Sequence, residues 1–414
     1  MAARRKQWYP RHMEFLIPSR TARPGDDPIF ALNTEARARA AEGKPVLNAT
    51  VGALLDDEGR LAVLPTVAAT LREVDPTVAA GYAPIAGARD FLGAVLTDLL
   101  GDRPEAKHAF AIATPGGSGA LRHAIADLLE PQQTLLTTSF YWGPYKTLAD
   151  EGDRHVTTFR MFDEAGRLDV GDFARKLSAV LESQGRALVF LNSPCHNPTG
   201  YSFDDSEWDQ IVDVVKRSAE RGPITILVDI AYARYGKGMD RALDRVLPLA
   251  GPALVLFAWS ASKSFTQYGA RVGALVAVHP DADERTRLRN ALVYSCRGTW
   301  SNCNAAGMAA IARLLLDREL AAKVDAERAV LKAMLDRRVA RWNEIAKPAG
   351  LRYPRYDGGF FTTVFCEDGP GAAARLKADG IFLVPQTGAL RVALCSVAER
   401  DVERLALAIG RAVG

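Results

Sequence analysis

Ala253-Leu-Val-Leu-Phe-Ala-Trp259, followed at once by Ser260-Ala-Ser-Lys-Ser-Phe-Thr-Gln-Tyr-Gly-Ala-Arg271, is the stretch on which the fold turns. An unbroken apolar run of this length suits a strand covered on both faces, opening at its carboxyl end onto a polar loop. Lys263 sits in that loop, and Arg271 follows it. Taken alone, a lysine just after a strand is an ordinary surface residue. Among small residues and hydroxyls, with a second cation close in sequence, its amine becomes less basic and able to form a Schiff base with a phosphate-bearing aldehyde.

Working outward, similar apolar runs recur near 109–113, 134–138, 155–160, 187–192, 224–229 and 273–278. Helical periodicity lies between them: Leu121, Ala124, Ile125, Leu128 and Leu129 share one face, as do Ile211, Val214 and Val215. Strands alternating with helices predict an α/β fold with a mostly parallel sheet of about seven strands. Past residue 308 the pattern changes to a charge-laced helical region over 308–345, then short strands at 360–366, 381–384 and 390–395, and a last helix from about Ala398. Three parts follow. Residues 1–12 form an N-terminal arm, either disordered or embracing a partner subunit. Residues 51–319 form a large domain, and residues 13–50 with 320–414 a smaller α+β domain.

A chain of 414 residues is long enough for roughly two to three domains of ~150 residues. Hydrophobic content of 48% and charged content of 24% are ordinary for a soluble globular protein. A net charge of +3, with arginines scattered among acids, gives no basic tract for nucleic acid or anionic membranes. Nothing approaches the ~18 uninterrupted apolar residues of a membrane span, and the basic N-terminus lacks the apolar run of a signal peptide. The five cysteines (Cys195, Cys296, Cys303, Cys366 and Cys395) include no CxxC pair. No disulfide framework or metal site is expected, and a reducing cytoplasm is the expected compartment.

The polar motifs fall at the carboxyl ends of the strands, where open α/β sheets bind their ligands. Thr114-Pro-Gly-Gly-Ser-Gly-Ala-Leu121 is a strand-to-helix turn whose glycines let backbone N–H groups reach an anion; alone it is equally a plain turn. It has neither dinucleotide spacing nor the Lys-Ser/Thr ending of a P-loop. Asn192-Ser-Pro-Cys-His-Asn-Pro-Thr-Gly200 is either a proline-punctuated loop or a carrier for Asn197, whose amide suits a phenolate-like oxygen. His196 is read as structural. Asp229 closes the apolar run Ile224-Thr-Ile-Leu-Val-Asp229, where an acid is costly unless paired. A cationic ring nitrogen suits it, with Tyr232 reaching a ring hydroxyl.

Together, Asn197-Pro-Thr-Gly200, Asp229-x-x-Tyr232 and Ser260-x-Ser-Lys263 with Arg271 resemble the aspartate aminotransferase family of fold type I pyridoxal-phosphate enzymes. Leu47-Asn-Ala-Thr-Val-Gly-Ala-Leu-Leu-Asp-Asp-Glu-Gly59 is similar to the family's N-terminal loop, and Gly81-Tyr82-Ala-Pro-Ile-Ala-Gly87 to its Tyr-x-Pro-x-x-Gly segment. Trp142 stands where the family has its ring-stacking tryptophan. The likeness runs from about residue 28 to 400.

The resemblance implies that Lys263 holds pyridoxal 5'-phosphate covalently and that Asp229 keeps the pyridine nitrogen protonated. It also implies that Asn197 and Tyr232 bond the phenolic oxygen, and that Gly117, Ser118, Ser260 and Arg271 hold the phosphate. Trp142 stacks on the ring, and Tyr82 reaches in from a second subunit of a homodimer. Arg391 matches the arginine for the substrate α-carboxylate, and Arg297 the one that crosses the dimer interface to a distal carboxylate; Gly52, Trp142 and Asn197 border the substrate. Departures accompany the likeness. Asn192 and Tyr145 replace two histidines near Asp229, and Leu54 and Leu55 occupy a substrate-side loop. The expected activity is amino-group transfer by ping-pong half-reactions, with aspartate or glutamate and 2-oxoglutarate or oxaloacetate. Aromatic amino acids are the alternative, and a lyase or decarboxylase on the same scaffold a further one.

Overall fold

The computed structural model describes residues 15–25 and 27–414; the N-terminal arm expected over 1–12 lies outside them. Among the described residues there are twelve strands. They are β1 Leu47–Asn48, β2 Ala109–Pro115, β3 Thr134–Thr138, β4 His155–Phe159, β5 Ala187–Asn192, β6 Ile224–Asp229, β7 Leu254–Ser260, β8 Val272–Val278, β9 Thr362–Phe365, β10 Ile381–Phe382, β11 Val384–Gln386 and β12 Ala389–Val392. Seven of them form the large sheet in the order β2-β8-β7-β6-β5-β3-β4. All neighbours in it are parallel except those of β8, which runs antiparallel to both β2 and β7. Every residue of β5, β6 and β8 is buried, because helices cover both faces.

Two apolar clusters, one on each side of the sheet, carry this part. One includes Phe91, Phe173, Trp208, Val228 and Phe257; the other includes Leu121, Ile125, Leu135, Phe190 and Leu256. A third cluster joins Leu47, Tyr232, Leu335, Trp342, Phe361, Leu390 and Leu405, around the sheet β11-β12-β9 and the pair β1-β10.

The charge-laced helical region expected over 308–345 consists of two helices, Ala305–Leu316 and Arg318–Ala346. Asp317 separates them with an extended backbone, and its carboxylate accepts the N–H groups of Glu319 and Leu320, capping the second helix. That helix belongs to two cores, with Val324 in the sheet core and Met334 to Ala346 in the third cluster. The strand expected over 381–384 is split at Leu383 into β10 and β11, since its halves pair with different partners. The last helix begins at Val402, after a single tight turn over Glu399–Asp401.

Candidate active site at the carboxyl ends of the sheet

The sheet register makes the site. Asn192 at the end of β5 pairs with Asp229 at the end of β6, and Asp229 pairs with Ala258 on β7. On the far side Ser260 pairs with Gly273 of β8, and Val272 with Pro115 of β2. A β-carbon on Gly273 would lie 2.5 Å from the carbonyl carbon of Gly116, so the missing side chain lets the turn after β2 press against the sheet. Gly116 itself has φ +69°, a conformation that favours glycine.

Lys263 lies on the one-turn helix Ala261–Ser264, capped by the Ser260 hydroxyl, which accepts the Ser262 N–H. Its amine sits 5.4 Å from the centroid of Tyr232 and 6.0 Å from that of Tyr268. Loss of hydration pulls the amine below its ordinary pKa; Asp229 opposes this, and the like charge of Arg271 adds to it.

Asp229 is buried and its acid is held above the usual carboxylate range, chiefly by burial. Its side chain accepts only neutral donors among the described residues: the Tyr145 hydroxyl at 2.8 Å and the Ala231 N–H at 3.1 Å. Asn192 donates to the Asp229 main-chain oxygen at 2.7 Å and accepts the Asn197 N–H at 2.6 Å. Asn197 in turn donates to the Tyr232 hydroxyl at 3.3 Å, and its own side-chain oxygen is buried without a partner. Burial pushes the Tyr232 phenol upward, so it stays a neutral hydroxyl.

Gly117 and Ser118 open the helix Gly116–Leu128, whose first N–H groups have no side-chain cap. Arg271 faces this helix start, donating to the carbonyls of Pro115 (3.2 Å) and Tyr268 (2.9 Å) and to the Ser262 hydroxyl. A β-carbon on Gly116 would come within 2.6 Å of the Arg271 guanidinium, and one on Gly117 within 3.5 Å of the Ser260 β-carbon. A helix N-terminus, a guanidinium and a hydroxyl thus converge, a set suited to phosphate.

Arg391, on β12, is buried: it donates to the Thr50 carbonyl, lies 4.8 Å above the Phe361 ring, and leaves its Nε without a partner. Burial pulls its pKa down, and no carboxylate pairs with it among the described residues. Gly52 faces the Phe361 ring so closely that any side chain there would overlap it. Trp142 is half-buried and meets Tyr145 edge-on at 5.9 Å.

The structure therefore brings Lys263, Asp229, Tyr232, Asn197, Ser260 and Arg271 together from four strand ends. Two expected site residues stand apart, at the surface of the chain. Tyr82 is 96% exposed, and Arg297, exposed near the end of the helix Ala282–Thr299, bonds Ser301.

Leu54 is fully buried in the third cluster with its N–H bonded to Tyr268, so its side chain packs in the core. His196 lies between the hydroxyls of Thr138 and Thr199, and burial pulls its pKa to about 3, keeping it neutral and structural. Sequence reasoning did not single out Tyr268, Phe361 or Thr50. Only Tyr268 carried a local signal, five residues after Lys263 in the opening stretch.

The sequence pattern of the family described as aminotransferase class I and II matches residues 44–409. An aspartate aminotransferase of Pseudomonas aeruginosa is 30% identical over 398 residues, covering 92% of this chain and 96% of that one. An aromatic-amino-acid aminotransferase of Paracoccus denitrificans is 29% identical over 394 residues, with 92% and 96% covered. Among solved structures, an aminotransferase from Anaerococcus prevotii superposes with a TM-score of 0.92 at 31% identity, covering 97% of this chain and 100% of that one. An aromatic-amino-acid aminotransferase from Burkholderia pseudomallei, covalently bound to pyridoxal phosphate, gives 0.80 at 26% identity, with 96% and 99% covered. With that match over most of its length, and a half-buried lysine and a buried acid gathered at the strand ends, the chain belongs to the class I and II aminotransferases and is a pyridoxal-phosphate-dependent transaminase.

Proposed function

We propose that Lys263 carries the cofactor and that this site transfers the amino group of a dicarboxylic amino acid, aspartate or glutamate, to 2-oxoglutarate or oxaloacetate. The residues present fit the cofactor. Among the described residues Asp229 is a buried acid whose carboxylate accepts only neutral donors, the Asn197 side-chain oxygen is an orphan, and Arg271 waits at an uncapped helix start. Asp229 would hold the pyridine nitrogen, Asn197 and Tyr232 the phenolic oxygen, and Gly117, Ser118, Ser260 and Arg271 the phosphate; Trp142 would cover the ring. Bound there, the cofactor supplies an electron-withdrawing ring that stabilises negative charge developing at the substrate α-carbon.

The residues do the rest. Arg391 grips the α-carboxylate and so fixes which face of the substrate meets Lys263. Lys263 Nζ, its basicity lowered by burial, would take the α-proton of the substrate as general base and give it up again as general acid. Residues 13–50 with 320–414 would move as a unit against 51–319 and exclude water once Arg391 is engaged.

The observation that carries this reading is Arg391: a buried guanidinium with an unpartnered Nε and an aromatic ring beneath it, a fork awaiting a carboxylate. In a homodimer, Tyr82 and Arg297 would reach the partner's site, Tyr82 to the phosphate and Arg297 to the distal carboxylate. Their exposure in the single chain supports this. The five free cysteines, all buried, fit a cytoplasmic enzyme, and no helix among the described residues is long and apolar enough to cross a membrane.

The aromatic reading has its own support in Phe361, which offers apolar surface beneath the substrate arginine. Aspartate added without an oxo acid should convert the protein's visible absorbance to that of the amine form and release one oxaloacetate per site. Alanine and carbon dioxide in place of oxaloacetate would mean β-decarboxylation. Comparing kcat/KM for aspartate and phenylalanine in wild type and Arg297→Leu then decides the substrate. A wild-type preference for phenylalanine, left unmoved by the substitution, overturns the dicarboxylate assignment.

A further inference from the structure

We propose that Tyr145 is a positioning residue that keeps Asp229 an ionised, weakly basic partner for the cofactor ring, in place of any titrating group. This rests on the reading that Asp229 faces the ring nitrogen.

Tyr145 lies on the helix Pro144–Glu151, the turn of which follows β3, and is 1% exposed. Three aromatic neighbours fix its ring: Phe190 edge-on at 5.2 Å, Trp142 edge-on at 5.9 Å, and Tyr141 nearly parallel at 6.2 Å. So held, the hydroxyl has one direction to point, and it donates to Asp229 Oδ2 at 2.8 Å. The other carboxylate oxygen takes the Ala231 N–H. Asn192 anchors the same acid by its main-chain oxygen and links it through Asn197 to Tyr232. The path between the group at one edge of the ring and the group at the other thus consists of a carboxylate, amides and phenols.

The chemical consequence is directional. A donor on Oδ2 stabilises the carboxylate and makes it a poorer base. A proton shared between Asp229 and the ring nitrogen therefore stays on the ring, which keeps its positive charge. An imidazole at this place would gain and lose charge near neutrality. The Tyr145 phenol does not: burial and the nearby charge of Asp229 push its pKa well up, with Tyr232 adding to this. The charged and titratable groups around the pair are Lys263, Tyr232 and Tyr141; burial raises both phenols, and Lys263 is the single cation acting on Asp229.

The test is a spectrophotometric pH titration of the lysine-bound cofactor in the holoenzyme, with rapid-mixing rates for the first half-reaction. Tyr145→Phe keeps the ring packing and removes the donor. It should raise the pH midpoint of the visible band by about one unit and slow the half-reaction about tenfold, with little change in KM. Replacing Tyr145 by 3-fluorotyrosine, a stronger donor of nearly the same size, should move the midpoint the opposite way. Asp229→Asn should move it further upward, and Tyr145→Phe added to that variant should do nothing more. If Asp229→Asn shifts the midpoint but neither change at 145 does, the role given to Tyr145 is overturned. If Asp229→Asn shifts nothing, the placement of Asp229 at the ring is what fails.

Discussion

Replacing Arg391 by leucine separates what this arginine does for the reaction from what it does for the fold. In the free protein, among the described residues, its guanidinium makes one hydrogen bond, to the Thr50 carbonyl, and lies over Phe361 with Nε unpartnered. Losing a hydrogen bond from a charged donor costs about 1.5–3 kcal/mol. Against this, the variant no longer buries a cation without a counter-ion, an expense of similar size. The two nearly cancel, so the melting temperature of the cofactor-free protein should stay within about 2 °C of wild type. Catalysis has no such offset. With the arginine gone, the substrate carboxylate enters the same buried place unpaired, which costs about 2–5 kcal/mol, or roughly 30- to 5,000-fold in kcat/KM. The assay is kcat/KM for aspartate beside calorimetry of the cofactor-free form. A variant within about threefold of wild-type kcat/KM would refute the carboxylate assignment. A large drop in melting temperature would refute the claim that the cation is uncompensated.

Two further perturbations bear on the same architecture. Lys263 has a pKa in the folded protein below its ordinary 10.5, so the unfolded chain binds more protons and the lysine costs stability at neutral pH. The cofactor-free Lys263→Met variant should therefore melt above wild type near pH 7.5, the gap closing as pH rises toward 10.5; a gap that does not change with pH would contradict the direction of the shift. Arg338 is fully buried, pairs with Asp57 at 2.8 Å and donates to the carbonyls of Leu55 and Cys395. Arg338→Met should cost about 3 kcal/mol in chemical denaturation, and a loss below about 0.5 kcal/mol would show these contacts to be replaceable.

The sheet was legible because its central strands are apolar over most of their length, and their ends came within two residues of the observed ones. Lys263, Asp229 and Asn197 were legible for a related reason: a parallel sheet gathers the ends of its strands, so polar residues at successive strand ends must share one edge. What the sequence hid depends on contacts between distant segments. Tyr145 and Asp229 are 84 positions apart, and Arg338 and Asp57 are 281 apart. The break at Asp317 was hidden differently. Leu314, Leu315 and Leu320 continue a helical spacing across it, and a single capping carboxylate ends one helix and starts the next. The burial of Leu54 was hidden because an apolar residue on a loop fits either a ligand or a core, and only packing decides.

The distribution of charge in the site explains why so many of its polar groups lack partners. Three cations, Lys263, Arg271 and Arg391, surround it, and Asp229 is the acid among them. Two of these groups are held away from their ordinary pKa by burial first, Lys263 downward and Asp229 upward. Arg391 is pulled down by the same cause, with an empty bonding position besides. A protein selected for stability alone would neutralise such groups internally, since unpaired buried charge is among the costliest features a core can hold. On the proposed function the missing charges would be those a phosphorylated pyridine and an amino acid carry: phosphate for Arg271, a ring N–H for Asp229, a carboxylate for Arg391. The strain in the free protein and the affinity for its ligands are then the same free energy seen from two sides. Ligand binding should stabilise the fold by an amount that grows with each charge supplied.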